Sequence, residues 1–127
     1  MRLLLDTHVA LWWLTEPERL GTRAYALIES GDNTPSVSAV SVAEAAIKTA
    51  LGKLRVPDRF LELLWGSGFD ELPLTASHAD RLRTLPLHHT DPFDRMLVAQ
   101  AQAERLSLVT ADRRCMAYDV EVVDARR

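Results

Sequence analysis

Short apolar runs alternate with amphipathic stretches along the whole chain. Arg2 to Leu5 read as a short buried strand, and Asp6-Thr7 follow at its end. His8 to Leu14 carry Val9, Trp12 and Trp13 toward one side, as a helix requires, and Glu16-Pro17 break it. Thr22 to Ser30 predict a second helix, stopped by Gly31 and the polar Asp32-Asn33. The β-rich segment Thr34 to Ala39 predicts a second strand, and Ser41 opens a helix running to about Leu51 before Gly52. Asp58 is expected to cap a helix through Trp65. Phe69 to Leu74 read as a strand, and Thr75 caps a helix ending before Pro86. After the loop Leu87 to Thr90, Asp91-Pro92 begin a strong helix reaching about Leu106. Ser107 to Thr110 form a strand, Asp112 starts a short helical turn, and Val120 to Val123 form the last strand. Strands alternating with helices predict an α/β sandwich around a mostly parallel sheet.

Composition changes this picture little. The 127 residues suit one domain spanning the chain, and nearly half are hydrophobic, enough for a core. The single cysteine, Cys115, excludes an internal disulfide and a thiolate metal site and is expected to be buried. The leucine run before Asp6 is too short for a signal peptide, and no stretch approaches the roughly 20 apolar residues of a membrane span. The expectation is a soluble cytoplasmic protein. A formal net charge of -3 argues against coating nucleic acid by bulk positive charge. Arginines gather near the C-terminus at Arg113, Arg114, Arg126 and Arg127, where forked guanidiniums suit phosphates and also the carboxylates of a partner.

Ligands of parallel α/β sheets bind beyond the carboxyl ends of the strands. Four acids fall there: Asp6 after the first strand, Glu44 in the first turn of the Ser41 helix, Asp94 in the first turn of the Asp91 helix, and Asp112 after the strand ending at Thr110. Each has a plain structural explanation. Ser41 and Glu44 match a capping box, and Glu44 stands four residues before Lys48. Asp91 and Asp94 suit a helix start, while Asp6 and Asp112 suit caps. Together they say more. Unpaired carboxylates about 4 Å apart repel by roughly 4 kcal/mol per pair at an effective dielectric near 20, so a gathering of them calls for protons, arginines or a cation. Oxygen donors without thiolate select Mg²⁺ or Mn²⁺ over zinc. His88 and His89, adjacent in a loop, are poorly spaced for a metal site and are expected to be solvated. Arg95 and Arg113 are expected to hold phosphate or to tie down a carboxylate. Trp12 and Trp13 cannot both enter one core, which leaves one of them for a partner face or for half-burial.

Leu3-Leu4-Leu5-Asp6-Thr7-His8, the helix with Glu44, His89-Thr90-Asp91-Pro92-Phe93-Asp94-Arg95 and Leu108-Val109-Thr110-Ala111-Asp112 together resemble PIN domains, and more narrowly the VapC toxins of bacterial toxin–antitoxin systems. The resemblance covers essentially the whole length in order and spacing. It implies a PIN-like three-layer sandwich with a five-stranded parallel sheet, and an endoribonuclease dependent on Mg²⁺ or Mn²⁺. It carries metal-ligand roles onto Asp6, Glu44 and Asp94, and makes Asp112 a further acid acting through water or a second ion. It makes Thr7 and Thr110 supporting hydroxyls that orient waters or carboxylates, and Asp91 mainly a helix cap. It implies an RNA substrate, a homodimer and a cognate VapB-type antitoxin. The alternatives are a PIN nuclease that processes RNA outside any toxin–antitoxin pair, and a catalytically silent PIN-like module that binds RNA or protein. A phosphoacceptor receiver domain is excluded, because neither lysine, Lys48 nor Lys53, ends a late strand.

Overall fold

The computed structural model describes residues 1–127. Its strands are β1 (Arg2–Leu5), β2 (Thr34–Ser38), β3 (Asp70–Leu72), β4 (Ser107–Thr110) and β5 (Val122–Asp124). They form one sheet in the order β3-β2-β1-β4-β5, parallel at every pairing. The helices are α1 (Thr7–Thr15), α2 (Thr22–Glu29), α3 (Ala39–Ala50), α4 (Phe60–Gly66), α5 (Ala76–Asp80) and α6 (Pro92–Glu104).

The pleat of β1 explains the three layers. Successive side chains of a strand point to opposite faces. Leu3 and Leu5 join Val9, Ala10, Trp12, Ile28, Val37 and Val109 in one core, beneath α1, α2 and α4. Leu4 enters the second core with Val40, Leu97, Val98 and Leu108, beneath α3 and α6. A strand buried on both faces has no polar side, which is why three leucines run together.

The strand order also places a crevice. The chain lays down β1, β2 and β3 in one direction, then returns to add β4 and β5 on the other side of β1. The order reverses between β1 and β4, and ligand crevices of open parallel sheets lie at such a point. The β1–β4 pairing continues one step past the strand, with Asp6 N–H donating to Val109 O at 3.0 Å.

Several local expectations need correction. Helix α3 starts earlier than expected, because Ser38 caps it by accepting from Val40 N–H at 3.0 Å. Ser41 is therefore inside the helix, its hydroxyl buried without a partner, and the Ser41–Glu44 capping box does not form. Glu44 accordingly lies in the second turn of α3. Asp58 does not cap α4, whose cap position is Arg59 with no side-chain bond. Of the two alternatives for the tryptophans, half-burial is the one seen: Trp12 is buried, and Trp13 is half-buried, stacking on Tyr25 at 4.9 Å and meeting Phe69. Caps at Thr75, Asp91 and Asp112 form as expected, and Cys115 is buried.

The residues after β5 are held by the backbone near α2. Gly21 N–H donates to Ala125 O at 2.9 Å and Arg23 N–H to Arg127 O at 2.8 Å. A Cβ at Gly21 would fall 2.1 Å from the Arg127 carbonyl carbon, so only glycine allows this approach. Gly21→Ala is expected to lever residues 125–127 off α2 and destabilise the fold by about 1–3 kcal/mol, the usual cost of overpacking. The midpoint of urea unfolding measures it; an unchanged midpoint would show that these residues contribute nothing.

Candidate active site

Asp6, Glu44, Asp91, Asp94 and Asp112 line one cleft of about 520 Å³ at the carboxyl ends of β1 and β4. His8, Trp12, Arg19, Lys48, Ala111, Arg113, Arg114 and Arg126 complete its wall. All four acids expected from the sequence thus reach one place. The hydroxyls expected beside them act on those acids directly, as described below.

Asp6 is both a cap and a cleft residue. One carboxylate oxygen accepts from Val9 N–H at 2.8 Å, fixing the start of α1. The other accepts from the Thr110 hydroxyl at 2.5 Å. Thr110 in turn accepts from Asp112 N–H at 3.1 Å, so one hydroxyl ties the ends of β1 and β4 together. The Asp6 carboxyl is buried at the cleft wall, and burial raises its pKa above the ordinary value, opposed by the Thr110 bond.

Glu44 is buried, with both oxygens engaged. The Thr7 hydroxyl donates to one and the Lys48 ammonium to the other, each at 2.5 Å. The bond to Glu44 raises the Lys48 pKa, so the ammonium keeps its charge through neutral pH. Lys48 neutralises Glu44 within α3 and leaves Asp6 and Asp94 with the uncompensated charge.

Asp91 caps α6, accepting from Phe93 N–H at 2.9 Å and Asp94 N–H at 3.0 Å. The cap turns Asp94 into the cleft. Burial, followed by the charges of Asp91 and Asp6, pushes the Asp94 carboxyl up to about 7. Asp112 is displaced the other way: the Arg114 guanidinium, donating to both its oxygens at 3.0 and 2.8 Å, holds it well below the usual carboxylate range. The two acids therefore differ in kind. Asp112 is already matched by a cation, whereas Asp94 is short of one.

His89 was expected to be solvated; it is buried in the site. Asp91 N–H donates to its Nδ1 at 3.1 Å, which places the ring proton on Nε2. That Nε2–H faces Asp94 at 3.0 Å and Asp112 at 2.9 Å. The donor atoms of His89, Asp94 and Asp112 all lie within 4.8 Å of one another, a tighter group than Asp6 or Glu44 joins. The signal for His89 was its place two residues before a capping aspartate, a spacing that lets the cap's own N–H orient the ring. His88, its neighbour, is exposed and sits edge-on to Tyr118.

The arginine expectations also change. Arg95 points away from the acids and binds the carbonyls of Pro86, Leu85 and Leu82 and the Tyr118 hydroxyl, pinning the loop before α6. The carboxylate clamp is Arg114, and Arg113 lines the cleft without clamping an acid. Burial pushes the Cys115 thiol up to about 12, so it offers no thiolate to a metal.

Three comparisons bear on this arrangement. The PIN domain family matches residues 3–121. The chain is 34% identical over 119 residues to "Ribonuclease VapC22" of Mycobacterium tuberculosis, covering 91% of each. Among solved structures, it superposes on a chain of VapBC2 from Rickettsia felis, bound to a DNA fragment from their promoter, with a TM-score of 0.72 at 16% identity and 98% coverage of both chains. A DNA-bound VapBC from Salmonella typhimurium gives 0.70 at 18% identity, also covering 98% of both. At these identities the structural likeness shows a shared fold.

Proposed function

The chain belongs to the PIN domain family, and from that premise we propose that it is a divalent-metal-dependent endoribonuclease acting as the toxin of a toxin–antitoxin pair. One observation carries the reading: acids from four distant segments share a cleft at the switch point of the sheet, and Asp94 there is short of a counter-charge.

The donor set fits a hard cation. It consists of carboxylate oxygens, it lacks a thiolate, and its two least compensated members, Asp6 and Asp94, both hold protons more tightly than ordinary aspartates. We assign Asp6 and Asp94 as the principal ligands of Mg²⁺ or Mn²⁺. Glu44, held by Thr7 and Lys48, completes the set on the α3 side, and Asp112 completes it on the β4 side. Bound there, such an ion would supply positive charge for the phosphoryl oxygens and lower the pKa of a water for in-line attack. The chain's own residues do the rest. Thr110 and Thr7 fix the directions of the Asp6 and Glu44 carboxylates. His89, through Nε2–H, keeps Asp94 and Asp112 turned toward each other. Lys48 holds the second Glu44 oxygen in place. Cleavage leaves a 5′-phosphate and a 3′-hydroxyl.

Solved neighbours include a member of the VapBC family of toxin-antitoxin systems, and on that footing we assign this chain a VapB-type antitoxin; a homodimeric assembly is assigned from the PIN-domain resemblance alone. Ile47 on α3 and Leu51 at its C-terminal cap, 48% and 62% exposed, support a partner covering that end of the helix. No helix of the chain is long and apolar enough to cross a membrane. The test is incubation of antitoxin-free protein with total cellular RNA and Mg²⁺, mapping the new 5′ ends beside an Asp94→Asn control. New ends that also appear with the control, or none with the parent, would overturn the proposal.

His89 provides a finer check. His89→Phe keeps the ring volume but leaves the two carboxylates without their shared donor. Loss of such an orienting partner costs roughly 10–100-fold in metal affinity. Calorimetric titration with Mn²⁺ should show that loss, and His89→Gln should recover part of it. Equal affinity in parent and His89→Phe would reduce His89 to a packing residue.

A further inference from the structure

The acids of the cleft are surrounded by cations that the chemistry above does not use. Of the five lysine and arginine side chains lining the cleft, Lys48 is held by Glu44 and Arg114 by Asp112. Arg113 and Arg126 have no ion-pair partner in the chain, and Arg19 meets only the exposed Glu16, at 3.2 Å. These three come from separate places: the turn after α1, the turn after β4, and the segment after β5. Three segments delivering arginines to one cleft is not what a protein of net charge -3 produces by bulk composition.

Two of the three are also held in position. The Arg19 guanidinium lies 4.5 Å from the centre of the Trp12 ring, a cation–π contact against a buried side chain. The backbone on both sides of Arg126 is tied down. Ala125 is fully buried and its N–H donates to Thr110 O at 2.9 Å, Gly21 N–H donates to Ala125 O, and Arg126 N–H donates to Asp124 at 2.9 Å. Thr110, which orients Asp6, is thus also the residue that anchors the Arg126 segment. Arg113 directly follows Asp112, so its position is set by the same turn that places that acid.

We propose that Arg19, Arg113 and Arg126 form a rim that grips the backbone phosphates of RNA on either side of the scissile bond. The inference deepens the nuclease reading and rests on it. Guanidinium forks bind phosphate oxygens through paired charge-assisted hydrogen bonds, without reading bases. The rim answers a problem the site creates: a cleft of carboxylates repels a polyanion. Its three cations draw the strand in while the acids remain free for the metal.

The test measures binding of a labelled single-stranded RNA 12-mer in Mg²⁺ across a salt series, with all proteins in an Asp94→Asn background to prevent cutting. Each phosphate contact to a single strand contributes about 0.7 to the slope of log K against log salt. Arg19→Ala, Arg113→Ala and Arg126→Ala combined should flatten the slope by about 2 and weaken binding roughly tenfold or more. A control with Arg55, Arg59 and Arg81 replaced by alanine removes the same charge away from the cleft and should keep most of the slope. Circular dichroism checks that each variant is folded, and single replacements report on each arginine if the triple variant is not. An equal slope in rim and control variants would overturn the rim while the parent, with Asp94 restored, still cuts RNA. A parent that neither cuts nor binds RNA would overturn the nuclease reading, and the rim with it.

Discussion

Asp94→Asn should cut RNA at least about a thousandfold more slowly than the parent, yet be the more stable protein when metal is absent. The first half follows from the loss of a principal metal ligand, since the charge stabilisation an ion provides is worth several kcal/mol, or about three powers of ten in rate. The second half follows from the site's electrostatics. Burial and the charges of Asp91 and Asp6 oppose ionisation of Asp94, so its charged form strains the metal-free fold above pH 7. An amide of the same shape removes that strain and can still accept from His89. Thermal unfolding in EDTA at pH 8 should give a higher midpoint for the variant, while single-turnover cleavage in Mg²⁺ shows the loss. A variant both inactive and less stable would show Asp94 to be a structural residue.

The second large effect is on pH dependence. A carboxyl whose folded pKa is raised binds more protons in the folded than in the unfolded state over the interval between the two values, so stability falls as pH rises. For Asp94 that interval runs from about 4 to about 7. Asp6, raised as well, adds in the same direction. Asp112 behaves oppositely: its pairing with Arg114 contributes stability above the ordinary aspartate pKa, lost only as pH drops below that range, outside the window considered. Metal-free protein should therefore lose stability from pH 4 to pH 7 and level off above it. Mg²⁺ must displace the Asp94 proton, so its apparent affinity should rise roughly tenfold per pH unit up to about 7 and then flatten. Denaturation midpoints with and without Mg²⁺ at each half pH unit would reveal this; a metal affinity independent of pH between 5 and 7 would refute it.

Much of this was legible in the residues because local and global signals agreed. Leu3-Leu4-Leu5 could only be a strand covered on both faces, and Asp91-Pro92-Phe93-Asp94 could only open a helix, so the acids at those boundaries were placed correctly. The capping explanations for Asp6, Asp91 and Asp112 were correct, and they do not compete with a functional reading: a cap fixes a carboxylate that lines the cleft. Ser41 misled because serine three residues before glutamate fits a helix start, while Ser38 lay just upstream with its own partner in Gln100 at 2.5 Å. His89 was missed because its burial depends on Tyr118, whose hydroxyl accepts from His89 N–H at 3.0 Å across 29 residues of sequence. Arg114 and Arg113 are indistinguishable as neighbours in sequence; only the turn that follows Asp112 decides which of them reaches back to it. Contacts of this kind are set by tertiary geometry, which spacing alone does not encode.

The most direct measurement is calorimetric titration of Mn²⁺ into the metal-free protein at pH 7.5, beside a variant carrying both Asp6→Asn and Asp94→Asn. Saturable binding to the parent, absent from a folded double variant, is the predicted result. No binding to the parent, or the same binding to both, would contradict the assignment of this cleft as a metal centre.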